Sequence, residues 1–114
     1  MMTMYYGWFD GQNDVTGNFK IGAEALQDCV VLFAAYDGDY DGEALVVFRR
    51  NGALYEVNGG HCSCYGLEDQ WEPEETSVEA LRHRVKQGTL GYRLGEYAEG
   101  FKDMLDRLEA EGHV

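Results

Sequence analysis

The chain has 114 residues, 21 of them acidic and nine basic, for a formal net charge of -12. That length makes one domain with a modest core, and 45% hydrophobic with 26% charged residues is an ordinary globular composition. The charge argues against direct binding to nucleic acid or an anionic membrane surface, and no apolar run approaches the ~20 residues that cross a bilayer.

The start, MMTMYYGWFDGQND, lacks the basic segment and long apolar segment of a secretory signal, so the chain reads as cytoplasmic. Three cysteines, an odd number in such a chain, argue against a disulfide framework. Residues 1–18 have no clear period. Tyr5, Tyr6, Trp8 and Phe9 form an aromatic cluster that fits a short edge strand, followed by a Gly/Asn/Asp loop. Rings of this kind usually cover a core, and less often form a contact surface. Residues 19–28 suggest a short helix with Ile21, Ala25 and Leu26 on one side, weakened by Gly22.

Residues 29–36, CVVLFAAY, read as a central strand, and 43–50 as a second. Asn51-Gly52 is a strong hairpin signal, and 53–57 forms the return strand, giving an antiparallel meander. Between the first two strands, Asp37, Asp39 and Asp41 alternate before Gly42 and resemble the opening of a calcium loop. Phe48 stands where the twelfth-position glutamate belongs, so a solvated turn is the better reading of this half-motif.

Residues 76–87 read as a helix with Thr76 and Glu79 as its capping box and Val78, Leu81 and Val85 as its apolar stripe. Residues 89–95 read as a linker or short strand. A second amphipathic helix follows over 96–111, with Tyr97, Phe101, Met104, Leu105 and Leu108 on one face and Gly112 as its stop. These elements predict an α+β fold: a three- or four-stranded antiparallel sheet with two C-terminal helices packed on one face.

Residues 58–76, NGGHCSCYGLEDQWEPEET, hold the chemistry-bearing side chains. His61, Cys62 and Cys64 offer zinc two or three soft ligands; Cys29, His83, His113, Glu68 or Glu72 would have to complete the tetrahedron. A thiolate at Cys62 or Cys64, activated by His61 or His83, is the enzyme alternative, with no family-specific nucleophile context around it. The bland alternative is a packed loop in which Gly59 and Gly60 allow tight turns and Trp71 anchors the segment on the core.

The run LYEVNGGHCSCYGLEDQWEPEETSVEALRHRV resembles a segment of small acidic proteins of bacteriophages and prophages, over roughly residues 30–90. The resemblance implies a mobile-element setting, in which small acidic proteins often resemble inhibitors of host enzymes, anti-restriction and anti-CRISPR proteins among them. The leading expectation is therefore a non-enzymatic protein without a cofactor that binds a basic surface on a host protein, such as one that handles nucleic acid. Asp37, Asp39, Asp41, Glu43, Glu68, Asp69, Glu72, Glu74 and Glu75 would form its partner-binding surface. A zinc-binding domain built on His61, Cys62 and Cys64 is the alternative, and a thiol enzyme the third; calcium at the aspartate loop is a lesser cofactor possibility.

Overall fold

The structure, a computed structural model, describes residues 3–38, 42–62, 64–87 and 97–113. Its centre is a five-stranded sheet in the order β1 (Met4–Gly7), β2 (Cys29–Gly38), β3 (Gly42–Arg50), β4 (Ala53–His61) and β5 (Glu74–Thr76). The expected meander is present as β2–β3–β4, each neighbour antiparallel. The sheet is mixed, however, because β1 lies parallel to β2. A parallel neighbour requires a crossover, which is supplied by helix α1 (Gln12–Phe19) and a 3-10 turn at Ala23–Leu26.

Helix is therefore found earlier than the sequence indicates. The segment read as a Gly/Asn/Asp loop is α1, and the helix expected over 19–28 is reduced to its middle. Val15 and Phe19 are the buried residues of α1, too few for a clear helical period in a segment otherwise rich in Asn, Asp and Gly.

Strand alternation sends side chains to both faces of the sheet, and each face has its own core. Leu32, Phe33, Ala35, Leu45, Val47 and Leu54 pack with Val78 and Leu81 of α2 (Val78–Gln87) and with Phe101, Met104, Leu105 and Leu108 of α3 (Ala98–Ala110). On the other face Val31, Ala34, Tyr36, Ala44, Val46, Phe48 and Val57 pack with Phe9, Val15, Phe19, Leu26 and Leu67. The C-terminal helices thus share one face as expected, while the opposite face is covered as well. Leu32 and Phe33, though adjacent, both serve the α2–α3 core because the register with β3 shifts between Val31 and Phe33.

Local chemistry sets the boundaries. Asn51 and Gly52 have φ of 52° and 80°, the two left-handed residues of a type I′ hairpin. Ser77, not Thr76, caps α2: its Oγ accepts the Ala80 N–H at 3.1 Å, and Thr76 belongs to β5. The expected Thr76/Glu79 capping box is therefore shifted by one residue and loses its glutamate partner. At the end of α3, Gly112 N–H reaches the Glu109 carbonyl and His113 N–H the Leu108 carbonyl, a Schellman stop that uses φ 99° at Gly112. The calcium half-motif is divided: Asp37 and Gly42 are strand residues, and Asp39 and Asp41 lie outside the described residues, as does the linker expected over 89–95.

Candidate functional site

Two features meet at the carboxyl ends of β1, β2 and β4. The first is a cluster of rings. Tyr36, in β2, is buried and its Oη lies 2.8 Å from His61 Nδ1, at the end of β4. The Trp8 indole stacks on the His61 ring, with centroids 5.7 Å apart and planes at 28°, and meets Tyr36 edge-on at 5.1 Å. Two glycines make room. A Cβ on Gly7 would run into the Tyr36 carbonyl, and Gly7 also has φ +69°, so the chain turns off β1 there and carries Trp8 over the sheet end. A Cβ on Gly42 would run into the His61 imidazole, which lies against that backbone. Burial raises the Tyr36 phenol above its ordinary value, and the Glu68 carboxylate adds to the rise. The phenol therefore keeps its proton, and which atom donates in its hydrogen bond with His61 Nδ1 follows from the imidazole tautomer.

The second feature is the segment from Cys64 to Pro73, folded back over the α1 side of the sheet. Leu67 is buried there, and Trp71 stacks on Phe48 (5.9 Å, 10°) with its edge contact to Phe19 at 5.1 Å. Gln70 closes the loop from inside. Its amide accepts the Gly60 N–H at 2.8 Å and donates to the carbonyls of Gly60 (2.7 Å) and Gly66 (2.8 Å). A single side chain thus supplies the hydrogen bonds that a neighbouring strand would give Gly60. Sequence reasoning missed Gln70, and also the Tyr36–His61–Trp8 cluster, whose members are scattered along the chain.

Glu68, Asp69 and Glu72 of the loop are exposed, as are Glu74 and Glu75 of β5. The Glu68 carboxyl sits below its ordinary value: its own N–H and that of Gly66 hydrogen-bond to it, and Lys20 adds attraction. Asp37 and Glu43 are placed differently. They are paired across β2 and β3, half-buried on the α3 side, where the Tyr97 hydroxyl donates to Asp37 Oδ2 at 2.9 Å. Asp37 and Glu43 therefore lie on the face of the sheet opposite the one that Leu67 and Trp71 cover.

The soft ligands do not converge. Among the described residues no group of three or more His, Cys, Asp or Glu side chains could hold a metal ion. His61 is turned onto Tyr36, while the Cys62 sulfur accepts the N–H of Cys64 at 3.3 Å within its own turn. Cys29 starts β2 at the far end of the sheet, where Arg50 Nε donates to its sulfur at 3.2 Å. His83 and His113 line an open groove of about 430 Å³ on the α2–α3 side, beside Lys86 and Glu109. None of these three is placed to complete a site at His61.

Comparison with protein-family models, with curated proteins and with solved structures finds no match. The fold and the site define a class only in structural terms: an α+β protein whose mixed sheet is covered on both faces. No helix among the described residues is long and apolar enough to cross a membrane.

Proposed function

We propose that this is a non-enzymatic accessory protein of phage type, acting in the host cytoplasm by occupying a basic surface on a host protein. A defence enzyme that handles nucleic acid, of the kind met by anti-restriction and anti-CRISPR proteins, is the target class that fits the charge. The observation that carries this reading is the clamp beneath the acidic segment. Gln70 and Trp71 hold the loop on the sheet, so Glu68, Asp69 and Glu72 project from a fixed support and Glu74 and Glu75 from the strand that follows. Acidity that served solubility alone would need no such support, whereas a pre-organised array lowers the ordering cost of docking. Complementary potential then speeds encounter and fixes orientation.

The test is to capture host proteins on the immobilised chain and measure association rates with the captured partner across salt. The expected rate falls as the Debye length shrinks from ~10 Å at 0.1 M to ~3 Å at 1 M. A variant with Glu68, Asp69 and Glu72 changed to Gln, Asn and Gln should associate more slowly and with a flatter salt dependence. A rate indifferent to both would reduce the acidity to a solubility feature. Direct binding of the chain to DNA or RNA at physiological salt would also count against the proposal. So would one zinc per chain, lost on changing Cys62 and Cys64 to Ser.

A further inference from the structure

We propose that the outer face of Trp8 is the seat for an arginine side chain presented by the basic partner. The inference rests on the acidic-surface reading and gives that surface an anchor. Trp8 is a large aromatic residue left 52% exposed. It is nevertheless held in place from several sides. Its backbone N–H donates to the Tyr36 carbonyl at 2.8 Å, Gly7 before it is fixed by the close approach to β2, and Phe9 after it is fully buried. His61 stacks on one side of the indole and Tyr36 abuts it edge-on, which leaves an outer face as the exposed part. A ring that only covered the core would turn its face inward; this one rests on other rings and presents itself outward.

A rigid indole suits planar partners. A nucleobase is one, but a chain with net charge -12 repels the phosphates that come with nucleic acid. A guanidinium is the other. It stacks on tryptophan, is weakly hydrated and carries the charge that this protein attracts. Asp10, two residues on, is exposed, and the charge of Glu68 acts on the phenol of Tyr36, the ring that abuts the indole. Lysine carries the same charge but cannot lie flat on the ring, so the seat should prefer arginine.

The probes are a blocked tetra-arginine peptide and its tetra-lysine counterpart, titrated into the full chain at low salt. Binding is followed through the indole N–H resonances of the two tryptophans, assigned with Trp8→Phe. The Trp8 resonance should shift saturably with tetra-arginine, while that of Trp71 stays in place. Tetra-arginine should bind about two- to five-fold more tightly than tetra-lysine, as expected of an exposed cation–π contact. Trp8→Ala should erase that preference and leave the remaining salt-dependent binding intact, and Glu68→Gln should weaken both peptides. Equal affinities with a stationary Trp8 resonance would overturn the seat but leave the acidic-surface reading standing. Absence of salt-dependent binding by either peptide would overturn both. The parent's own Trp8 resonance decides the matter even if Trp8→Ala folds poorly.

Discussion

Arg84 Nη1 donates to both carboxylate oxygens of Glu56, at 2.6 and 2.7 Å. Glu56 is 3% exposed on β4, the one charged residue among the buried described residues, and Asn58 Nδ2 donates to it at 2.9 Å. The pair ties α2 to the sheet next to the apolar contacts of Val78 and Leu81. Removing one partner of such a pair strands a buried charge, whereas replacing both with apolar residues often costs little. Arg84→Ala should therefore destabilise the fold by about 3–5 kcal/mol. The double change Glu56→Leu/Arg84→Met should recover most of that loss in urea unfolding. A double variant as unstable as the single one would mean that the pair also holds parts of the fold that apolar side chains cannot replace.

The start of α2 offers a sharper comparison. The Ser77 hydroxyl accepts the Ala80 N–H, while Thr76 is an edge-strand residue opposite Leu54. Ser77→Ala should cost about 1 kcal/mol, the usual value of a helix cap. Thr76→Ala should cost clearly less, since no cap bond is lost. The reverse order in unfolding midpoints would restore the Thr76/Glu79 capping box read from the sequence.

That one-residue displacement shows what the sequence could and could not reveal. Periodicity located β2, β3, β4, α2 and α3, because each has enough apolar residues to express its repeat. Asn51-Gly52 announced its hairpin, because few dipeptides favour two positive φ angles in succession. The parallel placement of β1 was hidden. A four-residue strand has little periodicity, and whether it pairs parallel or antiparallel depends on α1, itself disguised by polar residues and Gly17. The candidate site was hidden for a different reason. Trp8, Tyr36 and His61 come from three strand ends and meet only once strand order is known. The exposed carboxylates from Glu68 to Glu75 were legible as a run. That Asp37 and Glu43 share the face covered by α2 and α3 was not, because it depends on strand phase relative to helices far along the chain.

The loop from Cys64 to Pro73 should fail in two separable ways. Trp71 is half-buried between Phe48 and Phe19, so Trp71→Ala should cost about 3 kcal/mol, the lower end for a large aromatic truncation. Gln70→Ala removes three hydrogen bonds to the backbone of Gly60 and Gly66, and should cost about 1–3 kcal/mol. The second change should act locally. Hydrogen exchange at the Gly60 amide should accelerate while amides in the middle of β3 keep their protection. Equal acceleration throughout the sheet would show that the loop and the sheet unfold as one unit.

Glu68 links this loop to acid stability. Its folded carboxyl lies below the ordinary value of 4.5, held there first by its own backbone N–H, then by that of Gly66, with Lys20 adding attraction. A carboxyl whose folded value is depressed stabilises the fold fully above its unfolded value, and that contribution disappears as pH falls through the lower folded value. The window thus opens at about pH 4.5 and extends downward. Glu68→Gln keeps the size of the side chain and removes the charge. At neutral pH the variant should unfold at a lower urea concentration than the parent, and the two midpoints should converge below pH 4.5. The same substitution should lower the Tyr36 phenol somewhat, since the Glu68 charge is the smaller of the two causes raising it and burial remains. Labelling the tyrosine rings and following Tyr36 by NMR through alkaline pH would measure that second effect. A midpoint difference constant from pH 7 to pH 3 would show that the Glu68 charge does nothing for the loop, and would leave the carboxylate available only for contacts outside the chain.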